Sequence, residues 1–406
     1  MTTTLALALL SIFRQLRRSM TAVLAIAFGI MALLLASGFI EWNLRYGRES
    51  TIHSELGHIR LFKPGFLQSG LADPYGYLLD SDAMRDEKIQ QLPHVELLTP
   101  RLSFNGLASH EESTISFIGE GVDPTREERL SRSLTIVSGK GLSADHPKGI
   151  IVGQGLAANL GVAPGDTMVL MVNSATGGVN AVEVTILGLF ATITKAYDDA
   201  ALRVPISVAR QLLRVSGSHT YAILLDKTES TPAILSELQR QFPGHDLEFV
   251  PWYEMADFYN KTAELFARQV NVVRLIIAAI IVLSISNTLM MNVMERTGEI
   301  GTVMAIGVKR REVLLQFLAE GLILGVIGGI LGLVLAYMLG SLISAIGIPM
   351  PAPPGMSFGY TAEILITLPM MTEAFLLAAS TTLLASIIPA IKASRMEIVN
   401  ALRHNR

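Results

Sequence analysis

Four places in the chain carry residue types that could do chemistry. Ser138-Gly139-Lys140-Gly141 has the glycine and lysine of a phosphate-binding loop. Such a loop also needs a glycine five positions earlier and a hydroxyl after the lysine to hold magnesium. Leu134 and Gly141 stand there instead, so the chain is expected not to hydrolyse ATP itself. Gly153-Gln154-Gly155 lacks the third glycine of a dinucleotide loop. His53 and His58 lie five apart without the HExxH helix that would aim two imidazoles at one metal ion. No GxSxG nucleophile elbow occurs. The chain has no cysteine, which excludes disulfides, thiolate zinc sites and thiol nucleophiles. The expectation is a non-enzyme with no catalytic residue, no metal and no cofactor of its own.

The fourth place survives the same scrutiny. Residues 287–311 read NTLMMNVMERTGEIGTVMAIGVKRR, a polar break between two long apolar runs. Ile300, Val303 and Met304 share one helical face, and Gly298, Gly301 and Ala305 form a second face small enough for close docking. Gly307 suits a C′ stop, and Lys309 opens the next helix. The apolar face is short and partly glycine, so its affinity for a bilayer surface is modest and a protein surface is the better partner. Glu295, Arg296, Glu299, Ile300, Val303, Met304, Ile306, Gly307, Lys309, Arg310 and Arg311 are the candidate contact residues.

The elements that position this loop follow from hydropathy. The chain has 406 residues, 50% hydrophobic and 17% charged, which is apolar for a soluble protein and too charged for one lying wholly in a membrane. The net charge of −3 gives no argument for nucleic-acid binding. Four segments can cross a hydrocarbon core of roughly 30 Å: residues 20–42, 272–294, 313–343 and 371–391. The first follows Arg14, Arg17 and Arg18 and lacks a small-residue cleavage site, so it is read as an uncleaved helix with Trp42 at the interface. Lys and Arg gather in the tail 1–19, in the loop 295–312 and in the tail 392–406, and are missing from Ser344 to Glu373. The positive-inside rule then makes both tails and the loop 295–312 cytoplasmic.

Residues 43–250 form a large extracytoplasmic insert of mixed α/β character, long enough to bury a core, in one or two subdomains. Short β-prone runs at 59–62, 114–118, 167–172, 182–190 and 221–225 and helical runs at 208–213 and 233–241 support this. Residues 251–271 read as a stalk continuous with the second span, with Met255, Phe258, Leu265 and Phe266 on one face. Helix patterning alone fits a passive tether as well as a lever. In the third span Gly321, Gly325 and Gly329 recur every four residues, and Gly332, Ala336 and Gly340 make a second row, spacing that lets helix backbones approach closely in lipid. Glu320 is read as a structural acid, either paired with a base such as those at Lys309–Arg311 or lying in the interfacial zone. Residues 344–370 are an outer loop stiffened by prolines, and Pro389 is expected to end the fourth helix.

Asn287, Met291 to Gly301, Met304-Ala305-Ile306-Gly307 and Glu320-Gly321 strongly resemble the FtsX-like permease domain, the membrane half of the MacB and lipoprotein-releasing type of ABC transporter. Pro389 to Arg395 with Ala401-Leu402-Arg403 resembles the close of that domain. Gly57-His58-Ile59 and Gly153-Gln154-Gly155-Leu156-Ala157, with Leu160 and Pro164-Gly165-Asp166, are similar to its periplasmic part. The resemblance implies four transmembrane helices with a MacB-like periplasmic core domain between the first two. It further implies a bacterial inner-membrane location, a coupling helix at 295–312, two permease protomers and two copies of a separate cytoplasmic ATPase that holds the ATP and magnesium. In such proteins ATP-driven closure moves the stalks and outer domains. The chain looks closer to lipoprotein-releasing permeases than to macrolide exporters and carries no fused ATPase. Two functions compete: extraction or export of a lipoprotein, lipid or other amphipathic substrate, with a periplasmic carrier or adaptor as an additional partner, and signalling to a periplasmic protein such as a cell-wall hydrolase.

Overall fold

The computed structural model describes Arg14 and residues 16–70, 72–132, 134–192, 194–244, 246–351 and 359–398. Ala401, Leu402, Arg403 and Arg406 lie outside the described residues, as does most of the proline-rich loop, 352–358. The chain divides into two compact units: Met1–Leu44, Thr262–Pro349 and Thr361–Arg406 form one, and Arg45–Lys261 with Met350–Tyr360 form the other.

Helix α1 (Leu16–Thr51) is apolar up to Ile40 and polar beyond it, yet it does not stop at Trp42. The single glycine in that stretch, Gly47, costs a helix only about 1 kcal/mol, and Ile52 just past the end is fully buried. A single π-turn (Ile52–Leu56) follows.

The inserted unit is one ten-stranded sheet. In chain order, one-turn helices aside, its elements are β1 (Ile59–Phe62), α2 (Ala83–Gln90), β2 (Val95–His110), β3 (Ser113–Val122), α3 (Pro124–Leu130), β4 (Thr135–Gly139), β5 (Gly149–Gly153), α4 (Gln154–Leu160), β6 (Thr167–Asn173), β7 (Val179–Ala191), β8 (Ala201–Pro205), α5 (Ile206–Leu213), β9 (Thr220–Leu225), α6 (Thr231–Gln241) and β10 (Glu248–Pro251). The strand order is β10-β1-β9-β2-β3-β8-β5-β7-β4, with β6 paired to β2 and β7. Local chemistry starts the helices: the Asp82 carboxylate accepts the Met84 and Arg85 amides at α2, and Asp123 accepts the Thr125 amide beside Pro124 at α3.

Strand β2 organises the unit. Val95 to Arg101 pairs with β9, and Leu102 to His110 pairs with β3. Each half carries its own core. One core places Leu98, Tyr221 and Ile223 against Ile89, Ile234 and Leu238 of α2 and α6. The other places Phe104, Phe117, Ile150 and Leu170 against α4 and α5. The insert, expected as one or two subdomains, is therefore two cores on one sheet. Strand β2 has no alternating pattern over its first half because Leu97, Leu98, Thr99, Arg101 and Leu102 are all buried, and Pro100 reads as a breaker.

The stalk differs from expectation. A one-turn helix, Trp252–Met255, precedes α7 (Asp257–Glu295), and the two are separated at Ala256 with φ −90° and ψ 56°. Met255 therefore sits outside the helix that carries Phe258, Leu265 and Phe266, and Phe258 and Leu265 are exposed. Trp252 and Ala256 are buried instead, with Leu97, Leu130, Ala222 and Leu224 and with Tyr259 packed alongside.

In the other unit α1 and α7 are joined by α8 (Thr297–Ala305), α9 (Arg310–Ile346) and α10 (Leu368–Ser394); β11 (Ile348–Met350) and β12 (Tyr360–Ala362) pair as a separate two-stranded sheet. Among the described residues α1, α7, α9 and α10 are long and apolar enough to cross a membrane. Ile277, Ile281, Ile285 and Leu289 make a stripe on α7 that meets Ala22, Ile26, Ile30, Leu33 and Leu34 of α1. Leu275, Ile280 and Leu283 point outward, as a lipid-facing surface requires. Helix α10 runs through Pro389 to Ser394, so this proline does not end it. Proline is tolerated inside bundled membrane helices, where neighbouring groups can satisfy the freed backbone.

Both glycine rows of α9 pack within the chain. A Cβ on Gly321 or Gly325 would fall 1.6 Å from Ser386 Oγ or 2.0 Å from Thr382 Oγ1, and one on Gly329 would lie 3.2 Å from Phe375, all on α10. On the other side a Cβ on Gly332 would fall 2.8 Å from the Ala27 carbonyl oxygen and one on Gly328 would fall 2.7 Å from Ile26 Cβ, both on α1. Gly328 begins the row that continues through Gly332, Ala336 and Gly340.

Candidate functional site

The polar loop between α7 and α9 is a short helix buried along one face. Helix α7 ends at Glu295, and Arg296 breaks the direction with φ −94° and ψ 11°. Thr297 Oγ1 donates to the Met294 carbonyl at 2.7 Å across the bend. At the far end Gly307 has φ +108°; its amide bonds the Met304 carbonyl at 3.1 Å and the Val308 amide bonds the Val303 carbonyl at 3.3 Å. That pair of bonds is a Schellman close, which glycine accommodates without Cβ strain. Lys309 then begins α9 as its N-cap residue.

The faces of α8 are used differently from expectation. Ile300 and Met304 are buried with Val293, Val313, Phe317, Ala390 and Ala393, so they fix the loop to the ends of α7, α9 and α10. Gly298 and Gly301 are buried as well, so that small-residue face is internal and not open to a partner. Val303 is 43% exposed and Ile306 is 81% exposed. Thr302, Ala305, Gly307, Lys309, Arg310 and Arg311 are exposed beside them. The outward surface is thus an apolar tip followed by three cations.

The remaining charges are spent within the chain. Arg296 Nη1 reaches Glu320 at 3.0 Å, and its guanidinium lies 5.8 Å from the Phe317 ring centre. Glu320 is buried, and its partner is Arg296, not the Lys309–Arg311 cluster. Arg296 Nε also lies 3.4 Å from Glu299. Arg14 pairs with Glu299, and Arg18 pairs with Glu295. The hydrogen bond from Arg14, aided by Arg296, holds the Glu299 carboxyl below the usual carboxylate range. Solvent-exposed pairs of this kind are each worth up to about 1 kcal/mol. Their role is to clip the loop to the start of α1. Sequence reasoning saw Arg14 and Arg18 only as topology signals, because their partners are nearly three hundred residues away.

The other sequence candidates lie in the inserted unit. Ser138 and Gly139 end strand β4 and do not form a strand-to-helix turn. His58 is buried; its Nδ1 accepts the Leu225 amide at 3.0 Å, and its Nε2 lies 3.1 Å from Thr228 Oγ1, which donates to Glu49 at 3.0 Å. Both ring nitrogens are therefore committed. Among the described residues no group of three His, Cys, Asp or Glu side chains is placed to hold a metal ion.

Burial pushes His58 down to about 4, assisted by nearby His53 and Arg48 and opposed by Glu49 and Glu229. The folded chain keeps it neutral while the unfolded chain protonates near 6.5. Stability is therefore full above pH 6.5 and falls as pH drops toward 4, by about 2–3 kcal/mol. Thermal unfolding in nanodiscs across this range should show that loss, and His58→Gln should flatten it. An unchanged pH slope in the variant would contradict the assignment.

A membrane-spanning protein with an α/β domain inserted between its first and second spans, and a packed helical loop between the second and third, is the class that this fold defines. The chain belongs to the MacB-like family of FtsX-type permeases: residues 19–241 match the MacB-like periplasmic core domain and residues 271–398 match the FtsX-like permease C-terminal domain. It is 32% identical over 120 residues to the uncharacterized ABC transporter permease YvrN of Bacillus subtilis, covering 30% of this chain and 26% of that protein. It is 32% identical over 143 residues to the macrolide export ATP-binding/permease protein MacB of Brucella abortus, covering 35% of this chain and 20% of that protein. It is 25% identical over 178 residues to the pyoverdine export ATP-binding/permease protein PvdT of Pseudomonas putida, covering 43% and 25%. The matched regions thus span about a quarter or less of these relatives. The periplasmic region of MacB from Actinobacillus actinomycetemcomitans is a partial structural likeness, with a TM-score of 0.37 and 11% identity over 52% of this chain and 95% of that one.

Proposed function

We propose that the chain is the permease subunit of a MacB-like ABC transporter of the bacterial inner membrane. Both tails and the α8 loop face the cytoplasm, and the α/β domain faces the periplasm. A cytoplasmic ATPase, present in two copies and supplied by another chain, holds the ATP and magnesium. A second permease protomer completes the assembly. The observation that carries this reading is the surface of α8. Ile306 and Val303 stand exposed above Lys309, Arg310 and Arg311, while the rest of the loop is locked onto three membrane helices. An apolar tip with a basic rim fits an apolar groove with acidic edges on a partner protein. Because Ile300 and Met304 are fixed in the helix ends, force applied at Ile306 passes directly into α7 and α9.

A lipoprotein, lipid or other amphipathic substrate suits the membrane unit. A recess of about 480 Å³ lies between α1 and α7, with a mainly apolar wall that includes Ile40, Leu265, Val272 and Val273 beside Arg268 and Gln269. A neighbouring recess of about 270 Å³ adds Arg274 and Glu373, paired at 2.8 Å. Acyl chains fit the first, and a charged head fits the second.

Purification from membranes should yield a complex with an ATP-binding subunit, and Ile306→Asp combined with Arg310→Glu should cut its recovery at least roughly tenfold. Unchanged recovery and unchanged stimulated ATPase would overturn the coupling assignment. Periplasmic partner binding without extraction of any lipid-linked substrate from proteoliposomes would favour signalling over transport.

A further inference from the structure

Four ionised side chains are buried together on one face of the inserted sheet: Arg101 on β2, Glu120 on β3, Arg203 on β8 and Glu127 on α3. Glu120 and Arg203 are register neighbours on parallel strands. Arg101 reaches Glu120 at 2.8 Å and Glu127 at 2.9 Å, and Arg203 pairs with Glu127 and lies 3.5 Å from Glu120. The group is electrically balanced, two cations against two carboxylates. Buried charges of this kind are a poor source of stability, because apolar side chains of similar volume commonly serve as well or better. Their value lies in what they grip.

Arg203 also bonds outside the balanced set. Its Nη2 donates to the Ser54 carbonyl at 2.7 Å, and its Nη1 donates to Ser131 Oγ at 2.7 Å. Ser54 belongs to the π-turn that continues α1 without interruption. The wide turn is closed by the Gly57 amide on the Ile52 carbonyl at 2.9 Å, with Gly57 at φ +69°. The His58 amide, which an α-helix would give to Ser54, goes to the Ile223 carbonyl on β9 at 2.9 Å. The Ser54 carbonyl is thus released from the helix ladder and taken by a guanidinium fixed in the sheet. Ile52, fully buried beside Leu97, Leu130 and Trp252, seats the same turn.

We propose that Arg203, held in place by Glu127, Glu120 and Arg101, is a positioning residue that locks the end of α1 to the sheet, so that displacement of this helix is delivered to the outer domain as a movement of the whole sheet. The proposal rests on the permease reading, since only a chain driven through its membrane helices needs such a joint. A charge-assisted bond to a freed carbonyl fixes both distance and rotation of the turn, which apolar packing alone does not. Loss of the joint would leave a folded domain on a loosened helix end.

The native chain has no cysteine, so two spin labels can be introduced cleanly at Arg45→Cys on α1 and Glu183→Cys on β7, both exposed. In the full chain in nanodiscs the label-to-label distribution should be single and narrow. The pair Arg203→Met with Glu127→Leu removes one cation and one carboxylate together and keeps the volume. It should leave the melting temperature nearly unchanged while the distribution widens roughly twofold. Arg203→Lys, which keeps the charge without the fork, should widen it as well. A distribution as narrow as the native one in whichever variant folds would overturn the proposal. In the native chain, amides 52–58 should exchange with deuterium within about tenfold of the rates of β2 and β3. Exchange at loop-like rates would overturn it without any variant. Neither measurement involves the ATPase, so a chain that captures no ATP-binding subunit would refute the permease reading and leave these distances as they are.

Discussion

Gly325→Leu is expected to force α9 away from α10 and to destabilise the membrane unit by more than about 3 kcal/mol. The first added atom already falls 2.0 Å from Thr382 Oγ1 and 3.0 Å from Thr382 Cβ. Thr382 cannot swing aside cheaply: it is fully buried, β-branched, and its hydroxyl donates to the Ala378 carbonyl at 2.9 Å. Helix α9 cannot retreat either, because Gly328 and Gly332 already bring it against Ile26 and Ala27 of α1. In lipid there is no hydrophobic drive to restore the contact, so helix association rests on this close approach. Gly325→Ala should be milder, and Thr382→Ala should partly rescue it by removing the two terminal atoms in the way. Thermal unfolding in nanodiscs with a fluorescent reporter measures all three. A Gly325→Leu chain that melts like the native protein would show that the two helices do not touch as described.

The second large effect is expected at Glu320. Glu320→Leu strands Arg296, which is mostly buried beneath Phe317. Breaking one side of a buried pair commonly costs 3–5 kcal/mol; here Glu299 offers Arg296 a second partner at 3.4 Å, so about 2–3 kcal/mol is expected. Arg296→Met together with Glu320→Leu should recover most of that stability, because no charge is left unpaired. The double variant should still lack the polar tie between the start of α8 and α9, so its stimulated ATPase should stay low while its melting temperature returns. Recovery of both together would mean that the ion pair stabilises the fold and does nothing to position the loop.

The order of elements was legible in the sequence because its signals are local. Apolar runs define the spans, turn chemistry at Pro164-Gly165-Asp166 separates α4 from β6, and Gly307 closes α8 as its position implies. What escaped is long-range. Strand β2 hides its pattern because its first half is buried on both faces, and only the pairing with β9 and β3 reveals it. Arg101 and Arg203 carry no local signal in the sequence; only the pairing of β2, β3 and β8 brings them together. Within the loop, helical spacing grouped Ile300, Val303 and Met304 on one face, yet the structure divides them. Ile300 and Met304 turn to Phe317 and Ala390, and Val303 turns outward. The deciding contacts come from α9 and α10, which periodicity within α8 cannot show. Ile306, one residue before the closing glycine, is the most exposed member of the candidate set with a large apolar side chain.

Ile306 is also where the account is most directly tested. With no cysteine in the native sequence, Ile306→Cys carries a single cross-linkable group on the tip of the loop. Cross-linking in native membranes, followed by mass spectrometry of the adduct, reports what this side chain touches. The account predicts an adduct with a nucleotide-binding subunit, whose yield changes with ATP. Adducts only with lipid, or only with another copy of this chain, would contradict it.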